Sequence, residues 1–457
     1  MKNRFLIFII TSMMVIVSSC EDFVDVGLPS TQVTSDNVFN EKGLAEAAVL
    51  ENYALLRENV LLTGKSDGIS ILLGLYTDEL DNWLVTNRSF QSFYSNTIVP
   101  SEPLLQNTWN NAYTLIYNCN RIIEGLKAST NITQSEKDTL IGETLFIRTL
   151  AHFYLSQLFN EIPYVTTTDY RLNATIKKKK QTEMFALLED DALEAERLLN
   201  LEGKNIENTR VNSSTVQFFL ARLYLYQKDW TKALDFSNQL INGGKYVLES
   251  NLSNIFLKES KGTVWQLKPS VEGFNTYEAQ SFIFFSAPPP NRSITKSLIE
   301  SFEPGDLRKE KWTSALTSNS SDYYFASKYK QEKSTSSSKE YSIIFRMEEM
   351  YYVRLEALLH LGMFDRALEE WNFLRNRYGL EVFTSIANDW EFRLIKERRH
   401  EFFCELGHRF FDLRRTSLLE GEMQKVKPMW KNWFAQLPLP ESELLLNPNL
   451  LPQNEGY

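Results

Sequence analysis

The chain is short of the side chains on which most reactive and metal-dependent chemistry relies. Its 457 residues include three cysteines, Cys20, Cys119 and Cys404, too few and too widely spaced for a disulfide scaffold. The four histidines, His152, His360, His400 and His408, include no close pair, and no HExxH or CxxC spacing marks a zinc site. Positive charge is in deficit: 49 Lys and Arg against 58 Asp and Glu give a net charge of −9, which argues against a general grip on nucleic-acid phosphates. These absences point away from a cofactor, a metal or a catalytic centre. What is there is apolar and aromatic. Hydrophobic residues make up 43%, enough for a substantial core, and 30 Phe, 20 Tyr and 9 Trp are more rings than a core alone needs.

The N-terminus reads Lys2 and Arg4, then 13 apolar-rich residues, FLIFIITSMMVIV at 5–17, then Ser18, Ser19 and Cys20. As a helix that run spans about 20 Å, short of the ~30 Å hydrocarbon core of a bilayer. A positive start, a short apolar centre and small residues before a cut are the layout of a secretory signal, assigned to residues 1–19. "VSSC" resembles the bacterial lipobox, which implies that Cys20 is lipidated and becomes the first residue of the mature chain. Several acyl chains, palmitate among them, anchor firmly where one alone is marginal. Glu21, Asp22 and Asp25 resemble the surface-export signal of Bacteroidetes lipoproteins and equally suit a solvated tether, read over residues 20–40.

From Leu44 the apolar spacing turns helical. It predicts helices over 44–59, 104–126, 135–160, 183–200, 212–227, 230–242, 346–361, 364–378 and 389–414. Ser135 is the expected N-cap of the third, Pro163 forbids its continuation, and Gly243-Gly244 closes the 230–242 helix. The lysines at 177–180 and "KSTSSSKE" at 333–340 read as solvated loops. Between 244 and 345 the helical period weakens, and "GTVWQLKP" and "SFIFFSAPPP" look like short strands or irregular coil. "ARLYLYQKDWTKALDFSNQLIN" from Ala221 and "EALLHLGMFDRALEEWNFLRNR" from Glu356 share one grammar: helix, short turn with an aromatic, "KAL" or "RAL", second helix. This is the pattern of tetratricopeptide repeats. The expectation is a single, mainly α globule on degenerate tetratricopeptide-like hairpins, with a helical region at 41–243 and a second region at 244–457 that carries a loop-rich insert.

Several segments, in order, resemble the SusD/RagB family of Bacteroidetes outer-membrane lipoproteins: "GLYTDELDN", "GETLFIRTLAHFYLSQLFNEIPYV", "FEPGDLRKEKW", "FRMEEMYYVRLEALLHLGMFDRALEEWNFLRNRYGL", "IKERRHEFFCELGHRFFDLRR" and the closing "LPLPESELLLNPNLLPQNEGY". Two departures stand out. Leu406 lies where the family closes with an acidic residue and Gly, and Asn160-Glu161 replace a Gly-Asp before Pro163. The resemblance implies a non-enzymatic lipoprotein at the outer membrane, facing the cell exterior. It would capture a glycan or other nutrient and act as a lid on a SusC-like TonB-dependent transporter barrel, with its helical repeats toward the barrel. A peptide or other nutrient caught by the same lid, or a glycoside hydrolase, are the alternatives.

A hydrolase wants two carboxylates in a cleft, and Glu397, Glu401 and Glu405 are spaced four apart, as on one helical face. Arg398, Arg399, Arg409, Arg414 and Arg415 crowd the same segment, so these acids read as a structural ion-pair belt, ionised and paired. Cys119 and Cys404 read as inert core thiols. For a sugar, "DNWLVTNRSFQSFYSN" at 81–96 sets Trp83 beside Asp81 and Asn82, with Asn87 and Arg88 just beyond, a ring among hydrogen-bonding groups. The resemblance also implies that this loop contributes to ligand capture. "VEGFNTYEAQ" at 271–280 offers Phe274 and Tyr277. The competing reading has Trp83 capping the core and the rings of the insert packing locally.

Overall fold

The computed structural model describes residues 38–199 and 207–457. The predicted signal, Cys20 and most of the tether lie outside the described residues. Two 26-residue helices, Pro103–Ala128 and Gln134–Phe159, lie side by side. On the first, Trp109, Ala112, Ile116, Cys119 and Asn120 are buried along one stripe, with Tyr113 half-buried. The second is buried on all sides from Leu140 onward, as a central helix must be. Its cap is Thr133 rather than Ser135. The Thr133 hydroxyl accepts the Glu136 N–H while the Glu136 carboxylate accepts the Thr133 N–H, a reciprocal box two residues earlier than expected.

The repeat pattern resolves into two hairpins, Ser213–Gln227 with Trp230–Asn242 and Met347–His360 with Phe364–Arg377. The 230–242 helix packs directly on the 347–360 helix, so the hairpins are neighbours in space although the whole insert separates them in sequence. Small residues allow the close crossings: Ala221, Ala233, Ala357 and Ala367 are fully buried. The fold is mainly α, built on these hairpins, as the sequence predicts.

The segment read as one helix over 389–414 is two helices, Trp390–Phe402 and His408–Arg415. Between them Cys404 (φ 58°), Leu406 (φ 44°) and Gly407 (φ 73°) turn left-handed. A Cβ on Gly407 would lie 2.3 Å from Leu73 Cδ1, so the chain can reverse here only with glycine against the buried helix Ile69–Tyr76. The turn is held by side chains of that region: Leu406 N–H donates to Ser70 Oγ at 2.8 Å and Cys404 N–H to Glu79 Oε2 at 3.2 Å. The ion-pair belt survives the break. Arg346 reaches Glu401 at 2.5 Å and Glu405 at 2.9 Å, while Glu397 accepts from Arg308 at 2.8 Å and Arg375 at 2.6 Å. Burial alone would raise the Glu401 carboxyl, but Arg346 and Arg308 bring it down to about 2.

One correction falls in the loops. Lys178–Lys179 pair with Ile162–Pro163 as a short antiparallel ladder, not a free loop. Of the two forms expected for "SFIFFSAPPP", the irregular one is found: it ends the helix Tyr277–Phe282 and runs on irregularly through a cis Ala287–Pro288 bond. "GTVWQLKP" does form a strand, Thr263–Leu267, paired with Ser342–Arg346 over the 213–227 helix, where Phe345 stacks on Phe218 at 4.5 Å.

Candidate functional site

A small antiparallel sheet places the candidate residues. Its order is Leu80–Asn82, Arg292–Ile294, Ser321–Ala326, Thr313–Ser318. Ile294 lies opposite both Leu80 and Tyr324, so those three share the inner face, and the alternation of a strand turns Asp81, Ser293, Tyr323 and Phe325 to the other. Inner-face Leu80 and Ile294 are buried in the core.

Trp83 follows the first strand on that outer face. Its backbone N–H donates to Asn291 O at 2.7 Å and its indole N–H to Ser293 Oγ at 2.9 Å. The ring stands edge-on to Tyr323 with centroids 5.2 Å apart, and Phe284 meets Phe325 in the same way at 4.8 Å. Trp83 is 39% exposed, which decides against the core-capping reading: the ring is fixed at its polar edge and open to solvent on its surface. Asp81 accepts the Tyr94 hydroxyl at 3.2 Å, and burial holds its carboxyl above the usual value.

The stretch read as a loop over 81–96 is half helical, because Asn87 caps the helix Arg88–Ser95: its Oδ1 accepts the Phe90 N–H at 3.1 Å. Asn87 is therefore engaged in folding its own segment, and Arg88 is exposed at the start of the helix. Asn96, at φ 55°, closes the helix. Lys427 fastens this unit to the body, donating to Leu75 O at 2.6 Å, Tyr76 O at 2.9 Å and Tyr94 O at 2.7 Å. Burial pushes its ammonium down to about 7.

The second pair of candidates lies along the same irregular segment. Phe274 is exposed, whereas Tyr277 begins a helix and is tied down. Its hydroxyl donates to Glu58 Oε2 at 2.7 Å and Lys65 Nζ sits 4.6 Å from its ring centre. Burial raises the Glu58 carboxyl, but hydrogen bonds from Lys65, Arg57 and Tyr277 outweigh this and bring it down to about 2. A cavity of about 340 Å³ lies between the two places, lined by Gln280, Phe284, Phe285, Asn291 and Glu332 among others. Gln280 also borders the hollow that contains Phe274 and Tyr277, while Asn291 holds the Trp83 backbone. Exposed rings, amides and carboxylates thus follow one another from Trp83 to Phe274. Among the described residues no group of three His, Cys, Asp or Glu is placed to hold a metal ion.

Sequence reasoning missed Tyr323, Phe325, Phe284 and Ser293. The signal for the first two was present in "SALTSNSSDYYFA", two runs about a turn at Asn319 and Ser320, both at positive φ. Ser293 and Phe284 carry no local signal, because only strand pairing brings them beside Trp83.

Two family models match the chain. Residues 63–225 match one described as starch-binding and associating with the outer membrane, and residues 299–457 match the SusD family model. The chain is similar to the SusD-like protein P25 of Formosa agariphila, 20% identical over 96% of this chain and 97% of the relative. The SusD-like protein P38 of the same organism is 21% identical over 95% and 97%. Solved structures share the fold. A SusD superfamily protein from Bacteroides vulgatus gives a TM-score of 0.79 at 20% identity, covering 92% of this chain and 100% of that one. A laminarin-binding SusD-like protein gives 0.76 at 20% identity, covering 92% and 100%. Surface glycan-binding protein A from Bacteroides fluxus gives 0.73 at 19%, covering 91% and 100%.

Proposed function

The chain belongs to the SusD/RagB family, and from that premise we propose that it is a cell-surface glycan-binding lipoprotein that hands oligosaccharides to a SusC-like TonB-dependent transporter in the outer membrane. The observation that carries the reading is the ring pair Trp83–Tyr323 on the open face of the sheet. Pyranose rings have apolar C–H faces that stack on such surfaces, while their hydroxyls bond to the amides and carboxylates between them. The succession from Trp83 across the 340 Å³ cavity to Phe274 suits an oligosaccharide of several units. Two solved proteins of the same fold are described by their glycan ligands, one as laminarin-binding and one as a surface glycan-binding protein.

The protein binds glycan and does not cleave it. The nearest approach to a hydrolytic carboxylate set, Glu397, Glu401 and Glu405, is buried or half-buried and bonded to Arg308, Arg346, Arg375 and Lys328. The acylated Cys20 holds the chain at the outer membrane, exposed to the exterior. The repeat hairpin presents Met363, Phe364 and Phe373, exposed apolar side chains suited to the transporter. A glycan array on the unacylated chain, followed by calorimetry and product analysis of the best ligand, tests the reading. It expects saturable binding with the oligosaccharide unchanged. A chain that binds no glycan, or that shortens one, would overturn it.

A further inference from the structure

We propose that the surface formed by the 170–180 strap and the C-terminal tail is a membrane-resting face, which lies on a lipid surface carrying phosphate headgroups. The orientation rests on the lipid-anchor reading above. The strap and tail are bound to one another: Asn447 Nδ2 donates to Ile176 O at 2.8 Å, Asn449 Nδ2 to Thr175 O at 2.9 Å and Lys178 Nζ to Pro452 O at 2.7 Å. Together they expose Tyr170 (77%), Leu172 (62%), Leu445 (77%), Leu446 (77%) and Leu451. Five large apolar side chains in two adjoining segments are more than the scattered exposed residue that needs no explanation.

Charge says what covers them. Residues 169–183 carry five basic and two acidic groups, in a chain of net charge −9. Asp169 pairs with Arg171, Glu161 with Lys178 and Glu183 with Lys179. Lys177 and Lys180 are exposed and form no ion pair among the described residues. Apolar side chains interleaved with free ammonium groups match a headgroup boundary, where the leucines enter the acyl edge and the lysines meet phosphate.

The position of the tether points the same way. The described chain enters at Val38–Asn40, with Phe39 against Gly125 and Asn40 accepting from Ser129 Oγ at 3.4 Å. Glu124, on the same turn of the 103–128 helix, accepts the Thr168 N–H at 2.9 Å, two residues before Tyr170. A chain anchored at Cys20 therefore joins the body beside this face, and the 17 residues between Cys20 and Val38 span at most about 60 Å.

The test is flotation of the full mature chain carrying Cys20→Ala, which has no acyl group, with phosphatidylcholine vesicles and with phosphatidylcholine–phosphatidylglycerol vesicles. The expected result is binding to the second set only, weakened by salt and not competed by inorganic phosphate at matched ionic strength. Lys177→Ala with Lys180→Ala should lower partitioning by roughly tenfold or more, and Leu445→Ser with Leu446→Ser should lower it further at high salt. Equal flotation with both vesicle sets, loss to free phosphate, or variants that float like the parent would overturn the proposal. Photo-crosslinking in cells from position 446 to the transporter rather than to lipid would also overturn it. Failure of the anchor reading shows separately, as wild-type protein that takes up no labelled acyl chain.

Discussion

Arg409 grips Asp78 with both arms of its guanidinium, Nε to Oδ1 and Nη2 to Oδ2, each at 2.9 Å, across 331 residues of sequence. Both side chains are buried, and Arg399 adds a third contact to the same carboxylate at 2.9 Å. The pair joins the segment that carries Trp83 to the helix His408–Arg415. Burial raises the Asp78 carboxyl, but Arg409 and Arg399 prevail and bring it down to about 2.

Removing one partner leaves the other charge buried and alone. Asp78→Asn or Arg409→Gln should each cost about 3–5 kcal/mol in unfolding free energy by urea titration. The double variant should cost clearly less than the sum. Because the folded carboxyl titrates below the unfolded one, its contribution is complete above about pH 4 and is lost as pH falls through 2. Additive single effects would show that the two side chains do not act as a pair.

Trp83→Ala should weaken glycan binding by ~1–3 kcal/mol, the scale of one lost stacking surface, with little change in melting temperature. Tyr323→Ala should behave alike, since the two rings meet edge to face. Calorimetric titration with the ligand chosen from an array decides the matter. A variant that binds as tightly as the parent moves the test to Phe274 at the other end of the succession.

Glu278 is buried, accepts the Ser342 hydroxyl at 2.8 Å and forms no ion pair among the described residues; burial pushes it up to about 7. The unfolded chain gives up that proton near 4.5, so the group's contribution to stability is present below that pH and is lost as pH rises through 7. Glu278→Gln keeps an acceptor for Ser342 and cannot ionise. It should be near neutral at pH 5 and stabilising by about 1–3 kcal/mol at pH 8, given 1.36 kcal/mol per unit. Denaturant curves at the two pH values that shift by the same amount would reject this account.

Cys20→Ala should release the protein from the outer-membrane fraction of cells lacking the transporter. Among the described residues no helix is long and apolar enough to cross a membrane. Recovery of the variant with the membranes in that background would mean that some other feature holds it there.

The helices of 15 to 26 residues were legible because each buries one stripe or its whole surface, and that requirement is written as a period of apolar residues. The ion-pair belt was legible for a related reason: so many arginines beside so many glutamates can be buried only in pairs. The short elements were not. Ile69–Tyr76 is buried on every side and shows no period, and the break at 403–407 depends on Leu73 crowding Gly407 from a distant segment. The binding face follows the same division. The sequence by itself determined that Trp83 sits among polar groups, which is a property of neighbours in the chain. That the ring stays open, with Ser293 holding its indole and Tyr323 at its edge, was decided by strand pairing across more than 200 residues, and hydrogen-bond register between distant strands leaves no local trace in composition or period.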